Sequence, residues 1–277
     1  MKEENKLTKL KRILLDNPII GTIVIVLLII QIIPTMLAPI GRINHELYFA
    51  VYILSTIVIY YFFRKKNQDK MPKFKYGKGM LKGLLWTLPA WGIFGVVSLV
   101  DSISKNGGIN FNAYHLFAAI MAALSAGINE EIGSRAMPLD NVYRAQDEFK
   151  NIKKYLVLTS VIFGLSHITN ILFGASLSAT ISQIFYATGF GILLGAVYLR
   201  TGNILPGIIA HFIIDFASAF NPAYDPSSTE KMLLHTEEVN VVESLIKIII
   251  IGGILALYGL FLVRKKKQDE IVKTWTK

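Results

Sequence analysis

The apolar residues of the chain fall in long blocks, separated by short polar stretches rich in lysine. A transmembrane helix needs about 20 mostly apolar residues. Eight blocks reach or approach that length: 13–33, 47–63, 83–100, 114–136, 155–173, 178–199, 203–220 and 243–263. The pattern predicts an all-α, polytopic membrane protein of about eight transmembrane helices. It forms one domain over residues 1–277, with no repeats and no separate soluble part. Asp16 and Asn17 interrupt the start of the first block, and its apolar stretch, Ile13 to Ile33, is longer than the roughly 7–15 residues of a signal-peptide core. It therefore predicts a retained helix.

Composition agrees. Hydrophobic residues make up 53% of the 277, and charged residues 17%, against about 25% in a soluble domain. There is no cysteine, which excludes disulfides and Cys-ligated zinc. The net charge of +10 is unevenly spread. With eight spans both chain ends share a side, and 24 of the 29 Lys and Arg residues fall there; the other side holds Arg42, Lys105 and Lys231. This bias places both termini in the cytoplasm of a plasma-membrane protein, with 264–277 as a basic cytoplasmic tail. Stretches such as "RKKNQDKMPKFKYGK" flank helices and face an anionic leaflet, so the bilayer rather than nucleic acid is the expected partner. The loop at 221–242, with Asp225, Glu230, Glu237 and Glu238, suits the outside.

An ionisable side chain at the bilayer centre costs about 2.5–3.5 kcal/mol on insertion scales, so each needs a partner, a wet cavity or a function. The interior candidates are Glu130, Glu131, Arg135, His167, His211, Asp215 and Lys247. Lys247 sits one turn into the last block and can snorkel outward. His45, His115 and His235 fall at the outer surface and receive no role. Glu131 and Arg135 lie four apart on one helix face, which predicts a structural ion pair. Glu130 is rotated by about 100° from Glu131 and is left unpaired. "FGLSHITN" puts Phe163 and His167 on one face with Asn170 a turn on, and "AHFIIDF" does the same for His211 and Asp215. Three helices can thus present Glu130, His167, and the pair His211 and Asp215 to one polar cavity.

Such a set suits water activation. A carboxylate in an apolar cavity is a stronger base than one in water. One histidine can share the water or donate a proton, and a second can hold the oxyanion formed when water attacks a peptide carbonyl. Glu130, His167 and His211 could instead bind zinc with a water in its open position. The sequence leaves both open. Asp215 either acts directly or orients His211. Gly189, Gly191 and Gly195 in the sixth block permit close helix packing.

"EEIGSR" at 130–135, "FGLSH" at 163–167 and "HFIID" at 211–215 resemble the EExxxR, FxxxH and HxxxN/D motifs of one family. It is the CAAX-protease and bacteriocin-processing (Abi) family of intramembrane endopeptidases. The resemblance covers about residues 110–220 and implies an eight-helix, glutamate-dependent intramembrane protease. Carried over, Glu130 is the base, His167 its partner on the water, and His211 an oxyanion donor. Glu131 and Arg135 are structural support. Asp215 replaces the commoner Asn, and an ionised Asp cannot donate to an oxyanion. It is then protonated, or fixes the His211 tautomer.

The implied substrate is a membrane-associated protein or peptide: prenylated CAAX proteins in eukaryotic relatives, leader peptides, bacteriocins or regulated substrates in bacterial ones. The Ile-, Lys- and Asn-rich composition fits the bacterial setting. Rival classes are a non-catalytic scaffold or bacteriocin-immunity protein, and a proton-coupled transporter. The two related halves with broken helices expected of the transporter are not found.

The expected architecture has helices four, five and seven around the cavity, with helices one and eight peripheral. Counted from the block ends, Glu130 lies near the cytoplasmic end of helix four and His167 past the middle of helix five. Their depths differ by about 10 Å unless a helix starts or ends elsewhere.

Overall fold

The computed structural model describes residues 16–68, 78–105, 113–145, 151–219 and 252–276, and contains no strand among them. Helix α1 runs over Pro18–Gly41 with a π turn at Leu27–Ile32. Asn17 caps it, its side chain accepting from the amides of Ile19 and Ile20. Helix α2 is His45–Lys66. Helix α3 joins Met80–Leu88, a π segment Pro89–Gly95, and Val96–Lys105. Helix α4 joins Ala113–Glu131, a π segment Ile132–Ala136, and Met137–Ala145. Helix α5, Ile152–Ser166, passes into a 3-10 stretch, His167–Phe173. Then follow α6 (Leu177–Thr201), α7 (Leu205–Ala219), α8 (Leu255–Leu262) and α9 (Gln268–Thr276).

Among the described residues, five helices are long and apolar enough to cross a membrane: Pro18–Gly41, His45–Lys66, Leu116–Ala145, Ile152–Leu172 and Leu177–Thr201. Leu205–Ser218 and Gly252–Leu262 are shorter apolar helices. Large apolar side chains such as Met36, Leu54, Leu85 and Leu257 are exposed, while Thr22, Thr56, Thr87 and Asn129 are buried. That distribution suits a surface solvated by lipid. The eighth predicted block is described only from residue 252; Lys247, His235 and the loop at 221–242 lie outside the described residues.

Helix α6 is the central post. Leu193, Leu194, Ala196, Val197 and Leu199 are fully buried, and α5 and α8 pack against it. The close approach depends on missing side chains. A Cβ on Gly189 would strike the Gly252 carbonyl, and one on Gly195 would come 2.6 Å from Leu156 Cδ1. A Cβ on Gly164 of α5 would strike the Thr188 hydroxyl and lie 2.6 Å from the Ile184 carbonyl of α6. Gly164→Ala is therefore expected to destabilise the protein by about 1–3 kcal/mol, the range for overpacking. A thermal melt in detergent checks this; an unchanged melting temperature would show that α5 and α6 separate freely.

Four expectations change in whole or in part. Helix four does not end at 136 but runs to Ala145 through the π segment. Pro138 lacks an amide, and the widened turn just before it accommodates the lost hydrogen bond. Counted from the α4–α5 connection, Glu130 is then 15 residues in (145 − 130) and His167 also 15 (167 − 152). The depth mismatch disappears, because the helix is longer than its apolar block.

Second, Asp140 is not in a loop. It is fully buried in α4, accepting from Arg64 at 2.7 Å, Tyr60 at 2.9 Å and Tyr198 at 2.7 Å, which ties α2, α4 and α6 together. Third, α1 lies at the rim as expected, yet one face of it packs inward. Ile25, Val26 and Ile29 are buried, and Ile29 meets α4 where a Cβ on Gly133 would come 2.6 Å from it. Fourth, residues 268–276 of the basic tail form a docked helix. Ile271 and Trp275, four apart, are buried, and Trp275 Nε1 donates to the Leu199 carbonyl at 2.9 Å.

Candidate active site

The site begins at the end of the regular part of α4. Glu130 and Glu131 occupy its last two positions before the π segment, where the backbone ladder loosens. Ser134 donates its hydroxyl to the Glu130 carbonyl, and Arg135 Nη1 donates to Ser134 Oγ at 2.7 Å. The predicted ion pair forms: Arg135 Nη1 lies 2.8 Å from Glu131 Oε1. Both side chains are sealed, at 2% and 0% exposure, whereas the Glu130 side chain keeps 25%. The two neighbouring carboxylates are thus divided by burial into an enclosed one and an accessible one.

Helix α7 brings His211 to both. A Cβ on Gly127 of α4 would come 3.1 Å from the Ile208 carbonyl of α7. One on Gly207 would come 3.0 Å from Glu131 Oε2. These two gaps let α7 ride close over the Glu pair. His211 Nδ1 lies 2.9 Å from Glu131 Oε1, so Glu131 serves Arg135 and His211 with one oxygen. The other ring nitrogen, Nε2, faces Asp215 Oδ2 at 3.4 Å and Glu130 Oε2 at 3.7 Å. Asp215 is 22% exposed and shares the accessible side with Glu130. Phe190 of α6 meets the His211 ring edge-on, with centroids 5.4 Å apart.

Two readings from the sequence are refined by this geometry. Glu131 was expected to be satisfied by Arg135 alone; it also anchors His211. The contact that fixes the His211 ring at Nδ1 comes from Glu131, and Asp215 lies on the opposite nitrogen. The reason is axial. Residue i+4 on α7 reaches only the outward side of the imidazole, while the inward side meets α4.

His167 opens the 3-10 stretch. Its Nδ1 lies 3.2 Å from the Phe163 carbonyl and 3.3 Å from that of Gly164, so Nδ1 carries a proton to them and Nε2 is left for the site. Phe163 had no role of its own in the sequence. It is sandwiched, with the Arg135 guanidinium 4.0 Å from its centroid and the His167 ring edge-on at 4.9 Å. The line Glu131–Arg135–Phe163–His167 joins the first motif to the second. Glu130, Glu131, His211 and Asp215 thus meet between α4 and α7, with Phe190 of α6 against His211, and His167 is joined to them through Phe163 and Arg135.

Asn170 Nδ2 donates to Gln183 Oε1 of α6 at 2.9 Å. Gln31 of α1 was missed by the sequence reading. It bonds the chain on both sides of His167, through Ser166 and Thr169. A polar amide amid apolar residues was the signal available. As for zinc, no group of three His, Asp or Glu is gathered as a metal ion requires among the described residues.

Comparison with known proteins agrees with the motif resemblance over the same region. Residues 112–217 match the family described as type II CAAX prenyl endopeptidase Rce1-like. All three motifs lie inside the matched segment. No curated protein and no solved structure matches the chain.

Proposed function

We propose, from the premise that residues 112–217 carry the match to this prenyl-endopeptidase family, that the chain is an intramembrane endopeptidase using a Glu-activated water. The observation that supports this most is the division of the Glu pair: Glu131 is enclosed with Arg135, while Glu130 stays accessible beside His211 Nε2. A carboxylate held in low-dielectric surroundings and still reachable by water is suited to general-base catalysis.

In this reading Glu130 takes a proton from a water that His167 Nε2 helps to hold, and the resulting hydroxide attacks the scissile carbonyl. Carboxylates accept and cannot donate, so flanking carboxylates suit a His211 with a proton on each nitrogen. Its Nε2–H then serves the oxyanion, as a preorganised donor in a water-poor site. Collapse of the tetrahedral intermediate returns the proton from Glu130 to the leaving amine. Glu131 and Arg135 hold His211 and Phe163 in place. Asp215 acts from the Nε2 side. The substrate class is a membrane-associated peptide or protein, approached from the cytoplasmic side, with both termini of the chain in the cytoplasm and the plasma membrane as its location. Prenylated CAAX peptides and leader peptides are the two chemistries to try.

Cells lacking the protein, complemented with wild type or Glu130→Ala at equal abundance, provide the test. Their membrane-peptide N- and C-termini are compared by mass spectrometry. A product restored by wild type alone is the expected result and identifies the substrate. Equal restoration by both would leave a scaffold or immunity role. In purified form the cleavage is expected to survive a metal chelator, since in this reading Glu130 activates the water by itself; its loss, with recovery on adding zinc, would make Glu130, His167 and His211 zinc ligands instead.

A further inference from the structure

We infer that Gln31 is a positioning residue for His167, clamping the end of α5 on both sides of that histidine. This rests on the endopeptidase reading only for its kinetic consequence. Gln31 Nε2 donates to the Ser166 carbonyl at 2.9 Å, and the Thr169 hydroxyl shares its one proton between that carbonyl at 3.0 Å and Gln31 Oε1 at 3.2 Å. Ser166 is the residue before His167, and Thr169 is two after it. Both bonds cross from α1 to α5, over a sequence separation of 135 and 138 residues.

The place of the clamp gives it consequence. At Ser166 the α-helix stops and a 3-10 stretch begins. Carbonyls at a helix end lose their regular amide partners. Gln31 supplies a donor to one of them. The His167 ring is tied through Nδ1 to the carbonyls of Phe163 and Gly164 in the same last turn. A tilt of that turn therefore swings the ring, and with it Nε2, relative to Glu130. Gln31 itself is held in register by the π turn Leu27–Ile32, which the Tyr52 hydroxyl pins by donating to the Ile29 carbonyl at 2.6 Å. Helix α1 thus acts as a strut running from α2 to the second motif. An otherwise apolar helix carries one amide at the depth where His167 needs support.

The test uses the full-length protein in nanodiscs with two variants, Gln31→Leu and Thr169→Val. The first readout does not need activity: the rate at which diethyl pyrocarbonate modifies His167, followed by peptide mass spectrometry, with exposed His45 as internal reference. Losing one such hydrogen bond shifts a local opening equilibrium by about fivefold, so Gln31→Leu is expected to speed His167 modification by that factor, with His45 and His211 unchanged. Thr169→Val leaves the Gln31–Ser166 bond, removes the hydroxyl's contacts with both Gln31 Oε1 and the Ser166 carbonyl, and gives a smaller shift in the same direction. The second readout is cleavage of a quenched peptide ending in a prenylated CAAX box. A misplaced catalytic group lowers kcat by about 10–100-fold with KM unchanged.

An unchanged His167 rate in Gln31→Leu overturns the inference. So does an equal rise at every histidine together with a lower melting temperature, which would mark a general structural role. If Gln31→Leu does not fold, Gln31→Met, which keeps the length of the side chain without its amide, decides, and an unaltered His167 rate there overturns the inference. If wild type shows no Glu130-dependent cleavage, the endopeptidase reading fails on that result, while His167 reactivity still decides the role of Gln31.

Discussion

Glu130→Gln lowers the cleavage rate by about 10²–10⁴-fold, the usual worth of a positioned general base, and leaves the melting temperature unchanged. Glutamine keeps the size and one acceptor oxygen but cannot take the proton of the attacking water. The side chain is one-quarter exposed and its nearest ionic neighbour, His211 Nε2, is 3.7 Å away, so no tight buried pair is broken. A loss of rate without a loss of stability separates catalysis from packing. His211→Ala removes the proposed oxyanion donor, and its expected cost is about 10²–10³-fold. Asp215→Asn, by contrast, supplies a donor at the same position and retains most activity. The measurement is kcat on a prenylated or leader-derived peptide in nanodiscs, with a thermal melt of each variant. Wild-type turnover by Glu130→Gln would remove the carboxylate from the mechanism.

Arg135→Met destabilises the fold by about 3–5 kcal/mol, because removing one partner of a buried pair leaves the enclosed Glu131 with His211 alone to offset its charge. Arg135 is 2% exposed and Glu131 fully enclosed, with 2.8 Å between them. The guanidinium also covers Phe163 and fills the space opposite Gly191, where a Cβ would come 3.2 Å from Nη2. Replacing both, Glu131→Leu with Arg135→Met, is expected to recover part of the stability, since the broken pair is gone while His211 Nδ1 is left without its acceptor. Activity does not recover with it, because His211 Nδ1 has lost the carboxylate that orients it. Denaturant or thermal unfolding of the single and double variants, paired with cleavage rates, reads both effects. If the single variant melts like wild type, the pair does not support the fold; if the double variant cleaves normally, Glu131 does not act through His211.

Much of the site was legible in the chain. The i,i+4 relation paired Glu131 with Arg135, and the same rule put His211 and Asp215 on one face. Glu130 stood out as the carboxylate that rotation left over. Less was legible where the helix outran its hydrophobic block. "MPLDNVYRA" carries a proline and charges, so the chain after 136 read as a loop, yet it is the buried last part of α4. Asp140 escaped notice for that reason. Its partners Tyr60, Arg64 and Tyr198 come from two other helices, and no local pattern announces such a meeting. The tail gave a faint signal in Ile271 and Trp275, outweighed by its lysines.

The sequence by itself determined the all-α membrane class, the spacing of each motif on its own helix, and which polar groups needed partners. Those properties follow from hydrophobic length and from the 3.6-residue period, both of which act within one segment. Only the tertiary structure decided which Glu is enclosed, which nitrogen of His211 meets which carboxylate, and that Gln31 braces His167. These depend on how closely helices approach, and the approach is set by Gly127, Gly164 and Gly207 against backbone or side chains 20 or more residues away. A local period fixes direction around one helix axis; it carries no information about the distance to the next.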